Sequence, residues 1–344
     1  MKAVLVHNHG DREVLCYEDI PERECTLGKV KINIQASAIN HLDIWVRNGL
    51  PGINLPLPMI LGSDGAGTIV ETGTDVNKWK PGDEVVIQPG TFCGKCAHCT
   101  DGNENYCHQY GILGETENGV QAEYIVLDPI NIYAKPEHLS FSDAASMQLV
   151  FMTAYQMLIK RAKIQKNETV LVYGGTSGVG SAAIQISRDI GAHVIATVGS
   201  REKIKHAEKM GANNVVIHSD GNWKAEVQDI TAKKGVDIVF EHVGKATWKQ
   251  SLSILSKGGR IVTCGATTGQ NVSINLAHLF IKQHSILGST MSSLPTFNEV
   301  MKKIHKQIYF PFIDDIFRME DIRKAHEYIE KRQHNGKVVM VFDL

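Results

Sequence analysis

From Thr169 onward, short apolar runs alternate with helical stretches, and few folds accommodate that rhythm. Strand-type runs occupy residues 169–173, 193–198, 214–217, 236–240 and 260–264. Helical patterns fill the gaps at 181–190, 201–210, 223–233 and 247–256. A strand, a helix and a second strand form a right-handed crossover, so repeating the unit builds a parallel sheet covered by helices. The expectation is α/β: a doubly wound domain with a parallel sheet.

The first 130 residues have a different texture. β-type runs at 2–6, 29–37, 67–72, 84–88 and 122–127 are separated by turn pairs such as Pro51-Gly52 and Pro81-Gly82. They predict a compact β-rich domain. Helical spacing follows over 142–159, with Asp143 as a cap, and the tail ends in a helix near 319–331 and a strand over 337–342. A length of 344 residues suits about two domains. The expected division is a β-rich domain from 1–149 and 291–344, interrupted by the doubly wound domain at 150–290.

Net charge is −1, so the chain has no electrostatic footprint for nucleic acid or an anionic membrane. No apolar stretch approaches the roughly 20 residues that span a bilayer. The opening MKAVLVHNHG has no apolar signal core, and the expected location is the cytoplasm.

Within the β-rich half, four of seven cysteines fall in one loop, as Cys93-x2-Cys96-x2-Cys99-x7-Cys107. Four thiolates this close can converge on one tetrahedral zinc, which predicts a structural metal lobe over residues 91–110 with one Zn2+ per chain. In a reducing compartment, such a cluster reads as metal-binding before disulfide. An iron–sulfur run of the bacterial type has a shorter last spacing followed by proline. Cys16, Cys25 and Cys264 are scattered thiols, and His98 and His108 read as surface residues.

The run Val170-Leu171-Val172-Tyr173-Gly174-Gly175-Thr176-Ser177-Gly178-Val179-Gly180 is strand, turn and helix start in order. Against G-x-G-x-x-G, Gly175 and Gly180 fit, while Ser177 holds the middle place. Glycines there let backbone N–H groups approach a pyrophosphate at the helix start, so Gly175, Thr176, Ser177, Gly178 and Val179 are expected to cradle a dinucleotide. An NAD site usually places a carboxylate at the end of the second strand. Here that strand ends in Gly199-Ser200-Arg201-Glu202-Lys203. Ser200, Arg201 and Lys203 suit a 2′-phosphate, so NADPH is the expected cofactor. The bland alternative is a solvated helix start in which the two cations contact nothing. His218, after the third strand, is either a further adenosine-phosphate contact or a packed surface histidine.

With the cysteine lobe and this turn in place, the chain resembles the medium-chain dehydrogenase/reductase superfamily, zinc-containing alcohol dehydrogenase-like proteins among them. Leu61-Gly62-Ser63-Asp64-Gly65-Ala66-Gly67, Trp79-Lys80-Pro81-Gly82-Asp83, Gly119-Val120-Gln121-Ala122-Glu123-Tyr124, Thr153-Ala154-Tyr155 and Glu241-His242-Val243-Gly244 all look like family landmarks. The resemblance implies a GroES-like catalytic domain and a Rossmann domain, with Val243 and Gly265 beside the cofactor. The three catalytic-zinc positions of the alcohol dehydrogenase branch match Asn40, Ser63 and Leu149. Amide, hydroxyl and isobutyl groups cannot hold zinc as such catalysis requires, so no catalytic zinc is expected.

Zinc-free branches reduce conjugated C=C bonds, where hydride adds at the β-carbon and the enolate needs only donors and a proton. Asn40 with Trp45, Gly62-Ser63-Asp64, Gly114-Glu115-Thr116 and Leu149-Val150 are most similar to crotonyl-CoA carboxylase/reductase and acryloyl-CoA reductase relatives. In carboxylating members an asparagine, a phenylalanine–glutamate pair and a histidine shape a CO2 pocket. Asn40 and Glu115 match that pattern, whereas Gly114 stands at the phenylalanine and 265–274 holds no histidine. Plain reduction is therefore expected, of acryloyl- or crotonyl-CoA by NADPH. Asn40 and Thr153 would orient the nicotinamide ribose and the substrate carbonyl. Glu115 would assist protonation, and His41 is a weaker donor candidate. Each has a structural alternative: a turn asparagine, a solvated loop carboxylate, a packed histidine. A quinone or enone oxidoreductase is the second functional reading; a zinc alcohol dehydrogenase and a crystallin-like NADPH-binding protein stand behind it. Family habit implies a homodimer or homotetramer joined near residues 285–289.

Overall fold

The computed structural model describes residues 1–50, 52 and 54–342. Pro51 of the expected Pro51-Gly52 turn lies outside them. The described chain forms two compact units. One comprises Met1–Leu149, Ser293–His305 and the segment from Phe310; the other comprises Val150–Ser292 and Lys306–Tyr309.

In the first unit a long strand, Val30–Ile39, organises a seven-stranded sheet. Asp64–Thr72 lies antiparallel on one side of it and Lys337–Val341 antiparallel on the other. The pairing is specific: Ala38 faces Asp64, and Ile39 faces Val338. Continuing that register past the strand end sets Asn40 opposite Lys337. Alternating inward residues Val30, Ile32 and Ile34 join Ile69, Val85 and Ile87 in one buried cluster, which fixes the register because a one-residue slip would turn them out to solvent. A second sheet orders Leu15–Asp19, Lys2–Val6 and Met59–Ile60.

The second unit carries the expected parallel sheet, ordered Asn214–Ile217, His193–Val198, Thr169–Val172, Val236–Glu241, Leu255–Thr263 and Ser285–Gly288. All five pairings are parallel. The β-rich GroES-like and the doubly wound Rossmann architectures are thus both present.

The structure amends the sequence reading at several places. The helix expected over 142–159 is broken: Phe141–Ala145 ends at Ser146, Gln148–Tyr155 follows, and Gln156–Arg161 winds as a π-helix. Ser140, not Asp143, caps it, its hydroxyl accepting from the Asp143 N–H at 3.1 Å. Residues 255–256, expected in a helix, open the strand Leu255–Thr263 instead. Strands Leu15–Asp19 and Ile313–Arg318 and helices His41–Asn48 and Leu294–His305 were not anticipated. Among the described residues no helix is long and apolar enough to cross a membrane.

Candidate functional site

The four lobe cysteines come together as their spacing requires. Sγ–Sγ separations are 3.5 Å for Cys96–Cys99, 3.6 Å for Cys93–Cys107 and 3.9 Å for Cys93–Cys99. A Zn–S bond of 2.3 Å predicts tetrahedral edges of about 3.8 Å, so the set fits one zinc. Backbone N–H groups of Lys95 and Cys96 hold the Cys93 thiol down to about 6, which favours the thiolate a metal needs. All four are free cysteines, and His98 and His108 are exposed. A metal here shapes a loop and has no open position for chemistry.

The turn expected to cradle a dinucleotide lies in the second unit. Ser177 is the N-cap of the helix Gly178–Ile190, its hydroxyl accepting from Gly180 N–H at 3.1 Å. That explains serine at the middle template position: it caps the helix and leaves the first-turn amides Gly178 and Val179 for an anion. Gly180 must be glycine, since a Cβ there would lie 2.2 Å from the Gly174 carbonyl oxygen. Gly175 is also tightly packed, though less so: a Cβ there would lie 2.8 Å from the Ala196 Cβ. Thr176 is buried in the same turn.

At the end of the second strand Arg201 is exposed and begins a 3-10 turn, Arg201–Lys203. Ser200 donates to Glu202 at 2.7 Å, a carboxylate contact that weighs against a bound phosphate. The His218 ring lies beside Gly199, where a Cβ would be 3.7 Å away. Ser200, Arg201 and Lys203 follow the end of one strand, and His218 follows the end of the neighbouring one. Val243 and Gly265 lie on neighbouring turns. Val243 N–H donates to Glu241 at 2.6 Å, and Gly265 accepts from Thr263 through its carbonyl at 3.2 Å. Glu241, fully buried, also accepts from Gly244 N–H and from the Thr247 and Ser251 hydroxyls. The Glu241-His242-Val243-Gly244 landmark is a turn tied to one carboxylate.

In the first unit, Asn40 caps the helix His41–Asn48 and is 6% exposed. Its Nδ2 donates to Asp64 Oδ2 at 2.9 Å, and its Oδ1 accepts from Lys337 Nζ at 2.5 Å. Lys337 also donates to Asp64 Oδ2 at 3.0 Å. Asp64 Oδ1 accepts from the Leu149 N–H at 2.8 Å. Behind them Asp43, fully buried, accepts from the Asn40 and Gly62 N–H groups at 2.7 and 3.0 Å, and burial raises its pKa to about 6. Ser63 spends its hydroxyl on the Leu113 carbonyl at 2.8 Å. Of the three positions matched to catalytic zinc, then, one is a hydrocarbon, one is bonded to backbone and one faces an ammonium. They do not fit a metal.

Glu115 is half-buried on a loop of the same unit, and burial alone raises its pKa. Gly114 before it has φ +81°, and a Cβ there would lie 2.7 Å from Gly62 backbone atoms. A phenylalanine cannot take that place on this backbone. His41 is exposed, with its ring edge-on to Trp45 at 5.0 Å. Thr153 lies in the helix Gln148–Tyr155 of the second unit, buried, its hydroxyl with no hydrogen-bond partner. A buried orphan hydroxyl is costly unless a ligand completes it. Sequence reasoning missed Lys337, Asp43 and Tyr110. Tyr110 carries a buried phenol without a partner, its pKa raised by burial and then by Glu104 and Glu115. The only sequence hint of Lys337 was a lysine opening an otherwise apolar strand.

The chain is similar to known proteins over nearly its whole length. Residues 26–137 match the family model for the alcohol dehydrogenase GroES-like domain, and residues 178–306 match that for zinc-binding dehydrogenases. A crotonyl-CoA reductase of Streptomyces avermitilis is 30% identical over 95% of this chain and 82% of its own length. The quinone oxidoreductase of Homo sapiens is 29% identical over 99% and 98%. A crystal structure of an NAD-dependent alcohol dehydrogenase superposes with a TM-score of 0.96, at 40% identity and 99% coverage of both chains.

Proposed function

The chain belongs to the medium-chain dehydrogenase/reductase superfamily and is an oxidoreductase of that family, and on that premise we propose that it is an NADPH-dependent reductase of a conjugated C=C bond. The substrate class is a short enoyl-CoA thioester such as acryloyl- or crotonyl-CoA. The observation that carries this reading is the closed network in which Asn40, one of the three positions matched to catalytic zinc, is tied to Asp64 and Lys337. Alcohol oxidation in the zinc branch needs a Lewis acid there; conjugate reduction does not.

A bound nicotinamide supplies the hydride. Asn40 donates through Nδ2 to the thioester carbonyl and its developing enolate oxygen, and Thr153, its hydroxyl otherwise unpartnered, orients the nicotinamide ribose. Glu115, biased toward its protonated form by burial, supplies or relays the proton to the α-carbon. Gly178 and Val179 would hold the cofactor's pyrophosphate, and Ser200, Arg201 and Lys203 would hold its 2′-phosphate, at the cost of the Ser200–Glu202 hydrogen bond. One structural zinc sits in the cysteine lobe. Self-association through the edge strand Ser285–Gly288 is favoured by the exposed Leu276, Phe280 and Ile281 beside it.

The 40% identity to a named alcohol dehydrogenase favours a second reading, NAD-dependent alcohol oxidation. Steady-state rates with acryloyl-CoA, crotonyl-CoA, a benzoquinone and a primary alcohol, each with NADPH/NADP+ and NADH/NAD+, separate the readings. The proposal expects kcat/KM for an enoyl-CoA with NADPH to exceed the others by at least tenfold. A quinone or an alcohol at the head of that ranking would replace it.

A further inference from the structure

Asn40, Asp64 and Lys337 lie 24 and 273 residues apart along the chain, yet strand register brings them together. The Lys337 side chain is 5% exposed and that of Asp64 0%. A buried ion pair offers no assured stability, since desolvation offsets most of the attraction, and a hydrocarbon pair of similar shape often does as well. What such a pair does provide is orientation. Lysine can only donate and a carboxylate can only accept, so the amide between them has one permitted orientation: Oδ1 to Nζ, Nδ2 to Asp64.

We infer that Lys337 is a positioning residue whose ammonium replaces the active-site metal cation and holds Asn40 with one Nδ2–H free for a ligand carbonyl. That remaining proton now meets only the Ala38 carbonyl at 3.4 Å, a long contact that a better-placed acceptor displaces. The cation on Oδ1 polarises the carboxamide and strengthens its N–H as a donor. The same ammonium repels a divalent ion from these positions. The second unit's Thr153 needs no part in this device. The inference rests on the reading that Asn40 contacts the substrate; its orienting step does not depend on which substrate that is.

The test uses the full zinc-loaded chain with 15N-labelled asparagine side chains, the Asn40 signal being assigned by its loss in Asn40→Ala. Lys337→Met is combined with Asp64→Asn so that no buried charge is left alone. Wild type is expected to give two resolved Asn40 amide protons, the one bonded to Asp64 exchanging slowly; in the double variant that proton should exchange at least tenfold faster, with Lys337→Arg recovering part of the protection. On whichever substrate of the panel wild type turns over fastest, the double variant should lose kcat about 10- to 100-fold with KM for NADPH within twofold. Adding Asn40→Ala should then cost less than twofold more. An unchanged Asn40 signal in the double variant, or losses that multiply, would overturn the inference. Uptake of a second zinc equivalent by wild type would do so too. Failure of the enoyl-CoA reading appears separately, in the substrate ranking, while the amide signal is read with no substrate present.

Discussion

His326 and Asp43 are two titratable side chains that folding removes wholly from water. His326 accepts from Arg47 through Nδ1 at 3.2 Å, and its Nε2 has no partner. Burial first, and the Arg47 charge second, push its pKa to about 3. The unfolded chain, near 6.5, then takes up the proton first, so stability is lost as pH falls from about 6.5 toward 3. Asp43 acts oppositely: its folded pKa of about 6 lies above the ordinary 3.8, so its protonation favours the fold as pH drops between those values. His326→Asn keeps an acceptor for Arg47 and removes the acid-sensitive base. The gap in melting temperature between wild type and this variant should therefore narrow from pH 7 to pH 4. A constant gap would show that His326 titrates alike folded and unfolded.

At this scale the sequence was partly readable. Asn40, Thr153 and Glu115 could be named as candidates because motif position marks them, and the four cysteines because local spacing does. Lys337 was not, because its role arises from a strand pairing almost 300 residues distant. Ser63 and Leu149 were readable as residues without a zinc-ligating side chain; the Lys337 ammonium beside Asn40 was not.

Among the elements, the glycine turn and the cysteine lobe are local devices, and both formed as their spacing predicts. The helix Gly178–Ile190 starts three residues earlier than the apolar pattern suggested, because Ser177 caps it and capping is a hydroxyl-to-backbone matter that periodicity does not record. Similarly, Ser140 capping and the break at Ser146 divide what reads as one helix over 142–159. The unanticipated strand Ile313–Arg318 alternates poorly, with Asp314 and Asp315 near its start, and is held by pairing with Lys337–Val341. Gly180→Ala tests the turn most sharply. A methyl 2.2 Å from the Gly174 carbonyl forces helix and turn apart, with an expected cost of about 1–3 kcal/mol and at least tenfold weaker NADPH binding by fluorescence titration. Unchanged affinity would mean that this turn does not cradle the pyrophosphate.

For the molecule as a whole, the two architectures followed from texture: β runs with Gly/Pro punctuation in one part, strand–helix alternation in the other. Assembly was expected only from family habit, since an edge strand is known from the chain itself only once the sheet is ordered. The exposed Phe280 beside the edge Ser285–Gly288 makes a specific expectation: light scattering should find at least a dimer, and Phe280→Glu should shift it toward monomer. A wild-type monomer would remove that part of the proposal.

The central claim is hydride addition to the β-carbon of an enoyl thioester without carboxylation. Gly114 speaks against carboxylation, because the positive φ and the approach to Gly62 leave no room for an aromatic side chain. Crotonyl-CoA turned over with NADPH deuterated at the transferring position, in bicarbonate buffer, tests both halves together. The product expected by mass and NMR is butyryl-CoA with one deuterium at C3. Ethylmalonyl-CoA as the main product, or crotonyl-CoA recovered intact while a quinone consumes the same cofactor, would contradict the account.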